Sequence, residues 1–187
     1  MRILGIDPGS LHCGYALLED LGGRFPLVRE AGVWHLGDRV PLPRRLADLQ
    51  ERLELLLKAH KPQVLAMEES FVHKNIHTAM VLGHARGVVL ASSARAGLDV
   101  FEYAPSSIKQ TVAGSGRASK EAVADMVRRQ LGMSAMPDSA DASDAMAIAL
   151  AHHLRASSPL SAQSPGPSHR KTKFDLEGYL ARIGRKA

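Results

Sequence analysis

MRILGIDPGS, residues 1–10, ends an apolar run on an aspartate, and the nature of that run decides the fold. Residues 2–6 read as a short buried strand. Asp7-Pro8-Gly9 reads as a turn in which Pro presets φ and Gly accepts φ > 0. The Asp7 carboxylate therefore stands where a core strand reaches the surface. Two roles are open to it: an Asx-type turn residue, or a functional group beyond the end of a strand. Its partners elsewhere in the chain decide between them.

Outward from this strand, residues 14–19 (GYALLE) and 27–34 read as further strands. Short Gly-containing turns separate them and predict antiparallel neighbours. Residues 42–60 place Leu46, Leu49, Leu53, Leu56 and Leu57 at helical spacing, and Lys61-Pro62 ends that helix. QVLAM, 63–67, is a second buried strand, leading through EESF into a long helix over 75–96. Such a crossover predicts that 63–67 runs parallel to 2–6. A strand at 98–103, a helix at 119–131 after the GSGRAS loop and a helix at 138–155 complete an α/β order.

Composition bounds what this core can be. The chain has 187 residues, 45% of them hydrophobic, enough for one sizeable core. Its single cysteine, Cys13, excludes an internal disulfide and a Cys-rich zinc site and fits a reducing, cytoplasmic compartment. No apolar run is long enough to span a membrane, and no signal-peptide pattern is present at the N-terminus, so no membrane partner is expected. The net charge of +5 is uneven: residues 1–155 carry 18 Lys/Arg against 17 Asp/Glu, and residues 156–187 carry 6 against 2. The globular part can bind a polyanion only if its basic residues are gathered on one face.

Parallel strands at 2–6 and 63–67 would bring their C-terminal ends side by side, where ligands bind in open α/β sheets. Asp7 would meet Glu68-Glu69 there. Side chains alternate along a strand, so only one glutamate shares the face of Asp7, and the other faces solvent or pairs with a cation. MPDSADASDAMAIAL, 136–150, adds Asp138, Asp141 and Asp144 at i, i+3, i+6. Asp138 after Pro137 reads as an N-cap. Asp141 and Asp144 open a helix whose alanine-rich continuation suits close packing on the sheet, which points both toward Asp7. Four carboxylates converging in one cleft repel one another unless cations neutralise them. Oxygen donors without Cys or paired His select Mg²⁺, with Mn²⁺ as a substitute, and two such ions suit in-line phosphodiester hydrolysis.

GIDPGS followed by GY, AMEESF followed by KN, LGHARG, FEYAPSSIKQTVAGSGRASK and DASDAMAIAL, in that order and spacing, resemble the RuvC family of Holliday junction resolvases. The resemblance spans about residues 1–155. It implies a ribonuclease H-like fold with a mixed five-stranded sheet flanked by helices. It also implies a homodimer and Mg²⁺-dependent paired nicking of a four-way DNA junction in recombination and repair, with the RuvA–RuvB branch-migration complex as a further partner. Carried onto this chain, the metal-binding acids are Asp7, Glu68, Asp141 and Asp144. Glu68 is preferred over Glu69 because the family pattern, small-apolar-Glu, fits Ala66-Met67-Glu68. Asp138 has no such role.

The same resemblance assigns DNA contacts to Lys109, Lys120 and Phe71, the last as a residue that stacks on or wedges between bases. Arg117 joins them on a Gly-rich loop whose backbone N–H groups are also available to phosphate. GSGRASK lacks the spacing of a Walker A loop, so nucleotide hydrolysis is not expected. His73 and His77 lack the Glu of a zinc H-E-x-x-H motif. Gly83 and Gly87 let another element approach the long helix, either its own sheet or a second copy. Residues 156–168 read as a Pro/Ser/Gly linker. HRKTK and FDLEGYLARIGRKA then form either an unstructured basic tail or a short amphipathic helix carrying Phe174, Leu176, Tyr179, Leu180 and Ile183. Two alternatives stand beside the resolvase reading: a junction-binding architectural protein that does not cleave, and a ribonuclease H-like nuclease acting on another nucleic acid.

Overall fold

The computed structural model describes residues 1–23, 25–69 and 75–157. Phe71, His73 and the linker and tail from 158 onward lie outside the described residues. The elements are β1 (Arg2–Asp7), β2 (His12–Glu19), β3 (Leu27–His35), α1 (Leu42–His60), β4 (Val64–Glu68), α2 (Ile76–Arg95), β5 (Asp99–Tyr103), α3 (Pro105–Ala113), α4 (Lys120–Gln130) and α5 (Ala140–Ala156). The strands form one five-stranded sheet in the order β3-β2-β1-β4-β5. β1 pairs antiparallel with β2, β2 antiparallel with β3, and β4 lies parallel to both β1 and β5. The sheet is mixed, as the short turns of β1–β3 and the two helical crossovers through α1 and α2 predict.

Strand alternation divides the core in two. Leu4 and Ile6 of β1 and Leu65 and Met67 of β4 face α1 and α2 with Leu17, Leu49, Leu53 and Val89. Ile3 of β1 and Val64 and Ala66 of β4 face α3, α4 and α5 with Ile108, Val127, Met146 and Ile148. Carried to the strand ends, the same parity puts Asp7 (after Ile3 and Gly5) and Glu68 (after Val64 and Ala66) on the α5 side.

Two glycines let α5 lie against that side. A Cβ at Gly5 would stand 2.3 Å from the Ala145 carbonyl oxygen and 2.8 Å from the Ala149 Cβ. At Gly14, the register partner of Asp7, it would stand 2.0 Å from the Asp141 carbonyl oxygen. The helix backbone therefore rests on strand backbone, and small residues on α5 (Ala142, Ala145, Ala149) complete the contact.

The sequence reading needs three corrections. α3 is a nine-residue helix between β5 and the Gly-rich loop, absent from the sequence-based assignment. α5 is capped by Ser139 rather than Asp138, and the Ser139 side chain makes no capping bond. Gly83 and Gly87 face open space, with nothing within 4 Å of a Cβ at either, so close packing on their own sheet is not their role. Among the described residues no helix is long and apolar enough to cross a membrane.

Candidate active site

The β1–β4 ladder runs from Ile3–Val64 to Ile6–Met67, which leaves Asp7 and Glu68 as neighbours at the C-terminal edge of two parallel strands. α5 enters over this edge, with Asp141 in its first turn and Asp144 one turn further on. A cavity of about 350 Å³ is lined by Asp7, Glu68 and Asp144 with Lys109 and Lys120, over an apolar floor that includes Ile108, Val123 and Ile148. Asp141 does not line this cavity. It sits over Gly14, close enough to act electrostatically on Asp7.

The charges of the cluster act on one another. Burial, followed by the charges of Asp144, Glu68 and Asp141, pushes the Asp7 carboxyl up from 3.8 to about 7, and Lys120 partly opposes them. Burial and Asp144 also raise Glu68, against the pull of Lys120, Arg86 and Lys109. The Lys120 Nζ donates to Asp144 Oδ2 at 2.8 Å, and this bond holds the ammonium above its ordinary value. Among the described residues no three acidic, His or Cys side chains are drawn together into a finished coordination shell. The carboxylates line one cleft from different elements, and an ammonium group bridges to one of them. Grouped anions that raise one another, with oxygen as the only donor atom, fit a hard divalent cation. The buried Cys13 offers no competing chemistry, because burial pushes its thiol up to about 12.

Glu69 is tied into the sheet edge through its backbone, whose N–H donates to the Tyr103 carbonyl at 2.9 Å. Of the basic residues, Lys109 on α3 and Lys120 at the start of α4 reach the cavity, whereas Arg117 is exposed on the intervening loop and does not. Three of the loop amides are engaged within the chain. Gly116 N–H donates to Gln110 Oε1, Arg117 N–H to Ser115 Oγ and Ala118 N–H to the Ser115 carbonyl. His77 is exposed in the first turn of α2.

Sequence reasoning passed over Arg86 on α2, which lay in the quoted LGHARG. Its guanidinium donates to the Glu68 carbonyl and forms an ion pair with Glu102 of β5. It also missed a buried pair, Tyr103 Oη and His152 Nδ1, 2.7 Å apart.

A sequence model described as crossover junction endodeoxyribonuclease RuvC matches residues 3–152. The crossover junction endodeoxyribonuclease RuvC of Halorhodospira halophila is 46% identical over 165 residues, covering 88% of this chain and 97% of that protein. The protein of the same description from Myxococcus xanthus is 45% identical, covering 88% and 87%. Among solved structures, T. thermophilus RuvC in complex with Holliday junction substrate superposes with a TM-score of 0.79 at 35% identity, covering 83% of this chain and 94% of that one. The yeast mitochondrial Holliday junction resolvase shares the fold at a TM-score of 0.60 and 17% identity. The architecture is ribonuclease H-like.

Proposed function

The chain belongs to the RuvC family of crossover junction endodeoxyribonucleases, and on that premise we propose that it cleaves four-way DNA junctions at the cleft lined by Asp7, Glu68 and Asp144, with Asp141 beside it. Its activity is hydrolysis of DNA phosphodiester bonds in the resolution of Holliday junctions, which displaces the architectural and other-substrate alternatives. The observation that carries the site assignment is the shared face. Strand parity sets Asp7 and Glu68 side by side, and α5 brings Asp144 into the same cavity.

The four carboxylates are the proposed holders of Mg²⁺, two ions per site, with Mn²⁺ as substitute. When bound, such ions would offset the negative charge of the reacting phosphate and lower the pKa of the water that attacks it. The chain's own groups do the rest. Lys109 and Lys120 offset the anionic cleft and meet the phosphate backbone, and Arg117 extends that basic surface. The apolar floor beneath the acids limits water in the cleft and strengthens every charge interaction there. Phe71, three residues past Glu68, is the proposed side chain that wedges between bases at the junction.

We propose a homodimer joined along α2. Ile76 and Met80 are 73% and 61% exposed, and with Gly83 and Gly87 they make a stripe at helical spacing that nothing in this chain covers among the described residues. An isologous pair would present two equivalent sites to the two equivalent strands of a junction. Residues 1–155 form the proposed nuclease domain and 156–187 a basic tail. The RuvA–RuvB complex and a cytoplasmic location complete the reading on family grounds. The test is cleavage of a four-way junction, a duplex and an RNA–DNA hybrid with Mg²⁺ and with chelator. Paired symmetric nicks confined to the junction, and lost with chelator, support it, and cleavage of plain duplex at the same rate would sink it.

A further inference from the structure

We infer that Arg86 is a positioning residue of the metal site, the fork through which α2 sets the direction of the Glu68 side chain. The inference rests on the reading of Glu68 as a metal ligand.

The Arg86 side chain is only 12% exposed, although it carries a permanent charge. A guanidinium so enclosed is tolerated only where its donors are used. Both prongs are used here, on two different strands. Nη1 donates to the Glu68 backbone carbonyl at the end of β4, and Nη2 pairs with the Glu102 carboxylate on β5. Glu102 is the register partner of Met67, the residue before Glu68, so the fork spans the edge where β4 and β5 leave the sheet.

Glu68 needs such a support because of where it lies. The β1–β4 ladder ends one residue earlier, at Ile6–Met67. Beyond that point the backbone is held on the β5 side, by the Glu69 N–H to the Tyr103 carbonyl, and by the Arg86 bond to the Glu68 carbonyl. Fixing that carbonyl fixes the peptide plane that follows Glu68 Cα, and so the direction in which its side chain leaves toward Asp7. Lysine cannot replace the fork fully, because a single ammonium cannot hold a carbonyl and a carboxylate in one planar arrangement. Arg86 does not reach the cavity itself, and its role runs through Glu68.

The test uses full-length R86Q, R86K, E102Q and E68Q. Mn²⁺ binding is measured by calorimetry without DNA, the Mg²⁺ dependence of cleavage is split into half-saturation and maximal rate, and melting is followed in chelator. R86Q should weaken Mn²⁺ binding about 10–100-fold, the usual cost of losing a group that orients a ligand. It should raise the Mg²⁺ needed for half-maximal cleavage more than it lowers the maximal rate. R86K should recover part of the affinity, and E102Q should fall between wild type and R86Q. A purely structural role would lower melting while leaving Mn²⁺ affinity of the folded protein at the wild-type value, and that result overturns the inference. If R86Q does not fold, R86K and E102Q decide, and wild-type affinity in both overturns it. Wild-type Mn²⁺ affinity in E68Q would remove the Glu68 reading itself. Lost affinity in E68Q with wild-type affinity in the Arg86 and Glu102 variants would remove the Arg86 inference alone.

Discussion

Replacing Asp7 by Asn should stabilise the chelator-treated protein at alkaline pH while abolishing cleavage. In the folded chain burial and three neighbouring carboxylates raise the Asp7 carboxyl from 3.8 to about 7. In the unfolded chain it returns to about 3.9. Between these values the folded state binds more protons than the unfolded one, so stability falls as pH rises from about 4 to about 7, and the full cost is present above 7. At 1.36 kcal/mol per pH unit the interval corresponds to on the order of 4 kcal/mol. Burial and Asp144 raise Glu68 as well, and Glu68 is one of the charges acting on Asp7, so the share released at Asp7 alone is about 2–4 kcal/mol. Asn keeps the shape and removes the charge. Urea unfolding in EDTA at pH 4, 6 and 8 measures the effect: the two proteins should match at pH 4, and the variant should lead progressively to pH 8. Added Mg²⁺ should then stabilise wild type more than the variant. A variant no more stable than wild type at pH 8, or one that still nicks junctions, would refute the placing of Asp7 in a desolvated anionic cluster.

Protons and cations compete for Asp7, so the Mg²⁺ concentration for half-maximal cleavage should fall from pH 6 to pH 8 and level off above; a flat profile across that range argues against Asp7 as a ligand. Phe71→Ala should slow junction resolution by the loss of a stacking contact, about 1–3 kcal/mol, with little change in melting; a collapse in melting would return Phe71 to a packing role. Gly14→Ala would set a Cβ 2.0 Å from the Asp141 carbonyl, and moving α5 to relieve it should cost about 1–3 kcal/mol of stability and most of the activity, read by melting and a cleavage time course. Met80→Glu should convert the proposed dimer to a folded monomer in sedimentation, since Met80 is 61% exposed in the single chain, and its melting temperature should no longer depend on protein concentration; an unchanged dimer would move the interface off α2.

How far the sequence reveals such a site depends on whether a residue's partners are written into local pattern. RILGID and VLAME are continuous apolar runs, so the sequence marks two buried strands and limits the acid that joins Asp7 to one of Glu68 and Glu69. The resemblance favours Glu68, and the register puts Glu68 on the same side of the sheet as Asp7. α3 escaped because only Ile108 and Val112 of its nine residues are buried, too few to show a period, although Pro105 at its first turn marks a helix start. The start of α5 differs by one residue of capping, since Asp138 and Ser139 are both good caps by composition and neither type alone selects the register. Arg86 is a different kind of omission. Its two acceptors lie 18 and 16 residues away on separate strands, and nothing in LGHARG distinguishes a clamp on a ligand from a solvated arginine. Gly5 and Gly14 carry the same lesson for the acids on α5. An isolated glycine in a strand announces only that something comes close. The structure identifies that neighbour as the backbone of α5, so the position of Asp141 and Asp144 over the cleft follows from two missing side chains on β1 and β2 as much as from the helix that bears them.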